Sequence, residues 1–480
     1  MIAVGLLLAV ATRLTAAQLV PTPRATLVPA SETNRPFLSA ASAVAPVDLS
    51  AQGYAEDELL VSGQATIHEW APAGAREAVV ARAPRVPYVT RMLVRRPLDT
   101  TRFSGRVVVE LLDSPERHDV APLWGLSYEQ FLRSGDIWVG LTVSSSAAAT
   151  LQKFDPIRYQ SVGLSYQQDA ACKDGLVWDL IAQTGALLRS TSHENPIRDY
   201  NVHRVVLAGY GQGGADVVTY SNALHEVQRL GDGEPIYDAY LSAANTSAAP
   251  INQCAVVLPA GDPRHAPLPR DVPVVVVLTQ TELHGTQRHR ADSDEPGDVF
   301  RQYEIAGAAH SGPFPAGQPA EVDLRIAGLA PAPQELCREL LSDFPLGLAF
   351  NGIWQQFDRL LVGGEKMVSV PRIEVDSRGA PVVDQLGNAQ GGWRLPQIEV
   401  PLASYSGRST PKQNDARAVC EQSGSMRRYD APRLKTLYRD RSGYIERFNA
   451  ALDQAVEEGR LVKEDAAALK APAVRVLPAF

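Results

Sequence analysis

The chain has 480 residues with 46 basic and 54 acidic side chains, a net charge of −8, and 45% hydrophobic against 21% charged residues. That composition is globular and long enough for one large core with insertions. No extended Lys/Arg cluster is present, so nothing electrostatic favours nucleic acid or an anionic membrane as a partner.

Taken in chain order, Ile2–Ala11 is an apolar run followed by Arg13 and the small residues Thr15-Ala16-Ala17. The pattern predicts a signal peptide over residues 1–17, with an ordinary N-terminal helix as the alternative. The run is too short to cross a bilayer as a helix. Export to a periplasmic or extracellular space follows as the expectation, with no membrane association after cleavage. Residues 18–50, rich in Pro, Ala, Ser and Thr, read as a loose leader.

Strand patterns follow at Leu59–Ile67, Tyr88–Val94 and Arg106–Leu112, then a helical spacing over Trp124–Leu132 and a strand over Asp136–Val143. A helix is expected over Asp169–Leu188, a strand over His203–Ala208 and a helix over Ala215–Val227. Strands at Ala239–Ala244, Pro273–Leu278 and Phe300–Ile305 complete the series. Strands alternating with helices specify an α/β fold, a mostly parallel sheet with helices on both faces. Unbroken runs such as Val274–Val277 suit strands covered on both sides. This core is expected over residues 51–365, with a helix over Glu335–Leu361. After Gly363 short β-like runs and turns occupy Pro371–Pro401, and Tyr438–Leu469 reads as helical. Residues 366–480 thus read as a C-terminal extension of short β-hairpins and helices packed on the core.

The four cysteines are Cys172, Cys254, Cys337 and Cys420. In an exported chain they predict one or two disulfides, with Cys337–Cys420 the expected pair. No CxxC pair or His cluster supports a metal site.

The segment that carries chemistry is Gly209-Tyr210-Gly211-Gln212-Gly213, between a strand and a helix. Its spacing is that of the G-x-S-x-G elbow of the α/β-hydrolase fold, a strained turn that lifts a nucleophile above the sheet. Gly211 stands at the nucleophile position and has no side chain to attack with. The expected acid is Glu282, after the strand ending at Leu278, and the expected base is His310, after Gly307-Ala308-Ala309. Nucleophile, acid and histidine are then in the chain order of this fold. Asp292 and Asp294 are the alternative acids, and His284 and His289 read as solvated. The oxyanion hole is assigned to the N–H of Gln212 and to the loop around Leu112, Asp113 and Ser114. Ser144–Ser146 read as turn residues, with a substitute nucleophile as the alternative. Tyr210 and Trp124 suit either a pocket wall or the core.

Gly209, Gly211 and Gly214 also spell G-x-G-x-x-G, a dinucleotide fingerprint. Several strands precede it, however, and the next strand closes on Ser242-Ala-Ala-Asn245 without the acidic residue that reading needs. No cofactor is expected.

From about residue 50 onward the chain resembles a bacterial family of exported α/β-hydrolase-domain proteins of esterase type. The resemblance rests on Gly53-Tyr54-Ala-Glu-Asp-Glu-Leu-Leu-Val-Ser-Gly63, on Val107–Leu112 with Asp119, Pro122 and Trp124, and on Lys153–Tyr159. Thr279–Glu282, Gly307–His310, Trp393–Pro396 and Pro401–Gly407 complete it. It implies hydrolysis of a small-molecule carboxylic ester without metal or organic cofactor. The family's elbow reads G-x-S-Q; here Gln212 is present and the serine is not. Three readings follow: a non-hydrolytic binding protein, an enzyme working through water or another nucleophile, or an inactivated variant of an ester hydrolase.

Overall fold

A computed structural model describes residues 18–31, 34–72, 78–165, 175–252, 254, 257–259, 261–283, 290–330 and 336–471. The expected signal segment 1–17, Cys172, His284 and His289 lie outside these residues.

The strands are β1 (Gln18–Leu19), β2 (Arg24–Leu27), β3 (Tyr54–Trp70), β4 (Val79–Pro97), β5 (Arg106–Leu111), β6 (Ile137–Leu141) and β7 (Arg204–Tyr210). They continue with β8 (Gln228–Arg229), β9 (Ala239–Ala243), β10 (Val274–Thr279), β11 (Ser293–Glu295), β12 (Asp298–Ile305), β13 (Ala403–Ser406) and β14 (Ser425–Arg428). Ten of them form one sheet in the order β11-β12-β10-β9-β7-β5-β6-β4-β3-β2. From β12 to β6 every pair is parallel. The outer pairs β11/β12, β6/β4, β4/β3 and β3/β2 are antiparallel.

The central strands read Arg-Val-Val-Val-Glu-Leu in β5 and Val-Val-Val-Val-Leu-Thr in β10, and every one of these residues is buried. Branched side chains suit a pleated surface, and burial of successive residues means that both faces are covered. The covering helices include α1 (Pro122–Ser134), α2 (Ser145–Phe154), α3 (Val177–Arg189) and α4 (Gln212–Ala223). The α1 helix starts with Pro122 in its first turn and stops at Gly135, whose φ of 81° supplies the left-handed C-cap.

Register fixes the site. In the parallel ladder Leu111 pairs with Gly209, Tyr210 with Ala243, Val277 with Ala243 and Thr279 with Ile305. The chain therefore leaves β5, β7, β10 and β12 at one edge of the sheet, the carboxyl edge where α/β folds place their ligands.

Within the expected leader, residues 35–50 are packed, while residues 24–31 stay mostly exposed. β2 pairs with β3, and Phe37 and Leu38 are fully buried. The buried Arg91 and Arg95 donate to the carbonyls of Phe37 and Leu38. A Pro- and Ala-rich composition describes backbone preference; it does not register two anchors held by arginines far along the chain.

A helix α5 (Glu321–Ile326) follows the core strands, and α6 (Leu346–Leu361) starts eleven residues later than the pattern from Glu335 suggested. Pro345 occupies its N-cap, and a proline there disfavours helix in the residue before it; in the preceding stretch Cys337 is bonded to Cys420. Cys254 is also disulfide-bonded. In Pro371–Pro401 the expected β-like runs form isolated bridges, Val375 with Pro381 and Val383 with Ala389. Within that stretch lies α7 (Pro396–Glu399), and the antiparallel hairpin of the extension is β13/β14. Beyond α8 (Arg417–Ser423), the helices α9 (Ala431–Tyr438), α10 (Arg441–Glu457) and α11 (Lys463–Lys470) build a small core around Tyr438, Tyr444, Phe448 and Leu452. Among the described residues no helix is long and apolar enough to cross a membrane.

Candidate active site at the carboxyl edge of the sheet

The turn between β7 and α4 has the geometry of an elbow. Gly211 sits at φ 55° and ψ −118°, a conformation that L side chains rarely adopt. Its N–H donates to the Ala243 carbonyl at 3.0 Å, which ties the turn to β9. A Cβ on Gly209 would stand 2.2 Å from the Gly213 carbonyl carbon. The end of the strand therefore packs directly on the first turn of α4, and only hydrogen fits between them.

Above the elbow, Glu282 and His310 meet. Glu282 follows β10 in a short 3-10 turn, and its Oε2 accepts from the N–H and the hydroxyl of Thr279, each at 2.7 Å. Its Oε1 accepts from Nδ1 of His310 at 2.9 Å. A carboxylate acceptor at Nδ1 makes that nitrogen the proton carrier and leaves Nε2 with its lone pair. The loop that carries His310 is stitched to β10. The Gly307 N–H donates to Gln280 Oε1 at 2.8 Å, and the His310 N–H donates to the Thr281 hydroxyl at 3.0 Å. From the elbow, the Tyr210 hydroxyl donates to the His310 carbonyl at 2.6 Å, and the two rings lie 5.6 Å apart. Burial works against a charged imidazole, but the Glu282 hydrogen bond and carboxylate outweigh it and hold His310 above its ordinary value.

Asp113, which follows β5, occupies the space in front of Gly211. Its Oδ2 lies 2.7 Å from where a Cβ on residue 211 would stand. Its Oδ1 accepts from the Gln212 and Ser114 N–H groups, each at 3.0 Å. The side chain is buried, and burial pushes its carboxyl up to about 6 against the pull of the Gln212 hydrogen bond and the nearby His310. The amino end of α4 favours an anion there.

The oxyanion assignments divide. The Gln212 N–H points at this position and is engaged by Asp113. The Leu112 N–H donates to the Leu141 carbonyl and the Asp113 N–H to the Val120 carbonyl, so both are consumed by backbone pairing; the second donor is Ser114. The alternative acids turn elsewhere. Asp292 accepts from Arg372 and Ser369, and Asp294 from Arg301. Ser144 caps α2 by accepting from the Ala147 N–H. Trp124 is core, packed on Trp138 and Arg95, whereas Tyr210 lies against the site. The glycines of the dinucleotide reading belong to the elbow, in the middle of the sheet between β5 and β9.

A crevice of about 320 Å³ adjoins the two amides that hold Asp113. Val143, Val177, Trp178 and Pro250 give it apolar wall, while Ser144 and Asn252 add polar groups. Among the described residues no group of His, Cys, Asp and Glu is arranged to hold a metal ion.

The sequence reading missed the placement of Asp113 against Gly211. The available signal was an acidic side chain beside the amides meant to receive an oxyanion, where a negative charge would compete with the substrate.

Similar solved structures include a lidless α/β serine hydrolase from Xanthomonas campestris, at 11% identity and TM-score 0.28, over 55% of this chain and 90% of that one. A lipase/esterase from Lactobacillus plantarum matches at 15% identity and TM-score 0.27, over 40% of this chain and 76% of that one. An S-formylglutathione hydrolase from Agrobacterium tumefaciens matches at 10% identity and TM-score 0.25, over 52% and 87%. No curated protein matches. The sequence model of the alpha/beta hydrolase domain family matches residues 20–471, and the chain belongs to that family.

Proposed function

We propose that this protein takes a small organic ligand at the carboxyl edge of its sheet and works without a seryl intermediate. One observation carries the reading: a 2.9 Å Glu282–His310 pair stands over an elbow whose central residue is glycine. The elbow retains the strained backbone that presents a nucleophile, and the base retains its orienting carboxylate. The group that the base would deprotonate is missing. Loss of a serine nucleophile costs on the order of a millionfold in kcat in serine hydrolases, so cleavage of carboxylic esters by that route is closed. The base is left to act on water or on a bound ligand. A second reading, hydrolysis through another nucleophile, is favoured by the Asp113 carboxylate in the space before Gly211.

The test uses a fluorophosphonate probe and p-nitrophenyl acetate and butyrate on the wild type and on Gly211→Ser combined with Asp113→Ala. The wild type is expected to stay unlabelled, and the double variant to be labelled at residue 211 and to cleave the esters. Labelling of the wild type at the elbow would overturn the reading. Export to an oxidising compartment belongs to the same proposal. The Cys337–Cys420 bond and the residue 1–17 pattern support it. N-terminal sequencing of protein from the native host is expected to begin at Gln18; retention of Met1 counts against export.

A further inference from the structure

The β13–β14 hairpin of the C-terminal extension pairs Ser406 with Ser425. The residues just inside that pair, Gly407 and Gly424, lie against the loops that carry Glu282 and His310. A Cβ on Gly407 would stand 2.6 Å from the Thr281 nitrogen, 2.7 Å from the Gln280 carbonyl carbon and 3.0 Å from the Ala308 oxygen. A Cβ on Gly424 would stand 2.5 Å from that of Ala309. The hairpin thus touches the acid turn and the base loop together, where the Gln280 N–H donates to the Ala308 carbonyl.

Hydrogen bonds follow the same path. The buried Thr281 hydroxyl donates to the Gly407 carbonyl at 2.5 Å and accepts from the His310 N–H at 3.0 Å. A hydroxyl has one proton. Given to Gly407, that proton leaves a lone pair for the His310 amide, so a carbonyl of the extension decides which way the hydroxyl serves. One residue on, the Ser311 N–H donates to the Gln422 carbonyl of α8 at 2.9 Å. Helix α8 is held in turn by the Cys337–Cys420 bond and by the Ser409 N–H, which donates to the Cys420 carbonyl.

We propose that this hairpin is a working part of the site, with Thr281 and Gly407 as positioning residues that set how His310 meets Glu282. The inference rests on His310 serving as the base, as proposed above. A base takes its proton along the Nε2 lone pair, and the direction of that lone pair follows the ring. Glu282 holds the ring at Nδ1 alone, a contact about which an imidazole can swing. Fixing the amides of residues 310 and 311 removes that freedom at the backbone. The chain from Ala403 to Arg428 therefore acts on the base through backbone groups, and a misplacement of about 1 Å there costs about a hundredfold in rate.

The experiment uses the full chain, with the His310 ring followed by ¹⁵N NMR and identified through His310→Ala. Thr281→Val removes both hydroxyl bonds with little change of shape, and His310 should then titrate at lower pH than in the wild type. Thr281→Ser should restore the wild-type titration. Gly407 lies outside the left-handed region, so Gly407→Ala acts as a wedge alone and should lower the titration as well. In the Gly211→Ser, Asp113→Ala background, adding Thr281→Val should cut kcat for p-nitrophenyl butyrate by about tenfold to a hundredfold and leave KM little changed. In the unaltered protein the His310 and Ser311 amides should exchange with solvent as slowly as those of β10. A titration that neither Thr281→Val nor Gly407→Ala moves, or wild-type exchange at the rate of exposed loops, overturns the proposal. If the Gly211→Ser, Asp113→Ala protein cleaves no ester, the reading of the elbow fails, while titration and exchange still decide the role of the hairpin.

Discussion

Asp113 Oδ2 lies 2.7 Å from the position a Cβ would take on Gly211, so these two residues share one space at the end of two neighbouring strands. The glycine makes room for the carboxylate, and the carboxylate meets the amide that an elbow normally offers to its substrate. Restoring one side therefore disturbs the other.

Gly211→Ser alone is expected to lose about 1–3 kcal/mol, the usual cost of forcing atoms into a filled site. Adding Asp113→Ala should recover the part of that loss that comes from the clash, while the backbone strain at φ 55° stays. Urea unfolding of the wild type, the single variant and the double variant measures the coupling. Additive effects of the two substitutions would mean that the contact does not govern the site.

Asp113 also gives stability a pH dependence of definite sign. Its carboxyl rises from an ordinary 3.8 to about 6 in the folded protein, so between these values the folded state holds the extra proton. Stability from this residue is greatest below pH 3.8, falls as pH rises to about 6 and stays lower above it. The difference corresponds to at most about 3 kcal/mol. Asp113→Asn removes it, so the variant should gain in Tm relative to wild type at pH 8 and lose that gain at pH 4. An unchanged difference across that range would refute the sign.

His310 should titrate above the ordinary 6.5, as NMR of its ring protons can measure. With Glu282→Gln the supporting charge is gone while burial remains, so the value should fall below 6.5. Base activity at this site should then begin at higher pH in the wild type than in the variant, because the imidazole must be neutral to accept a proton. A value that does not move on removing Glu282 would sever the pair.

The Cys337–Cys420 bond closes a sequence separation of 83 residues; loop entropy sets an upper value of about 4.5 kcal/mol for such a span, and bridges typically deliver about 2–4 kcal/mol. Replacing both cysteines by serine should lower stability by that amount in urea. The loss should fall on the stretch before α6 and on α8, which hydrogen exchange would resolve. Because the Ser311 N–H donates to the Gln422 carbonyl of α8, the loop that carries His310 should loosen along with it.

Much of this protein was legible in its residues. Short Val-rich runs bounded by turn residues suit strands covered on both faces, and their alternation with helical stretches leaves a parallel sheet as the economical arrangement. Gly209, Gly211 and Gly213 mark the elbow because spacing alone records where backbone must pass closely and turn with positive φ. Glu282 and His310 could be named because each lies just past a buried strand in the order the fold demands. The packing of Phe37 and Leu38 was not legible, since it depends on Arg91 and Arg95 reaching their carbonyls from over fifty residues away. The late start of α6 was missed, although Pro345 at its N-cap is a local signal. Above all, only the tertiary structure placed Asp113 before Gly211. They are 98 positions apart in the chain. Their meeting follows from the ladder that pairs Leu111 with Gly209. Local sequence sets the backbone of each turn; which side chain faces another turn is decided by strand register.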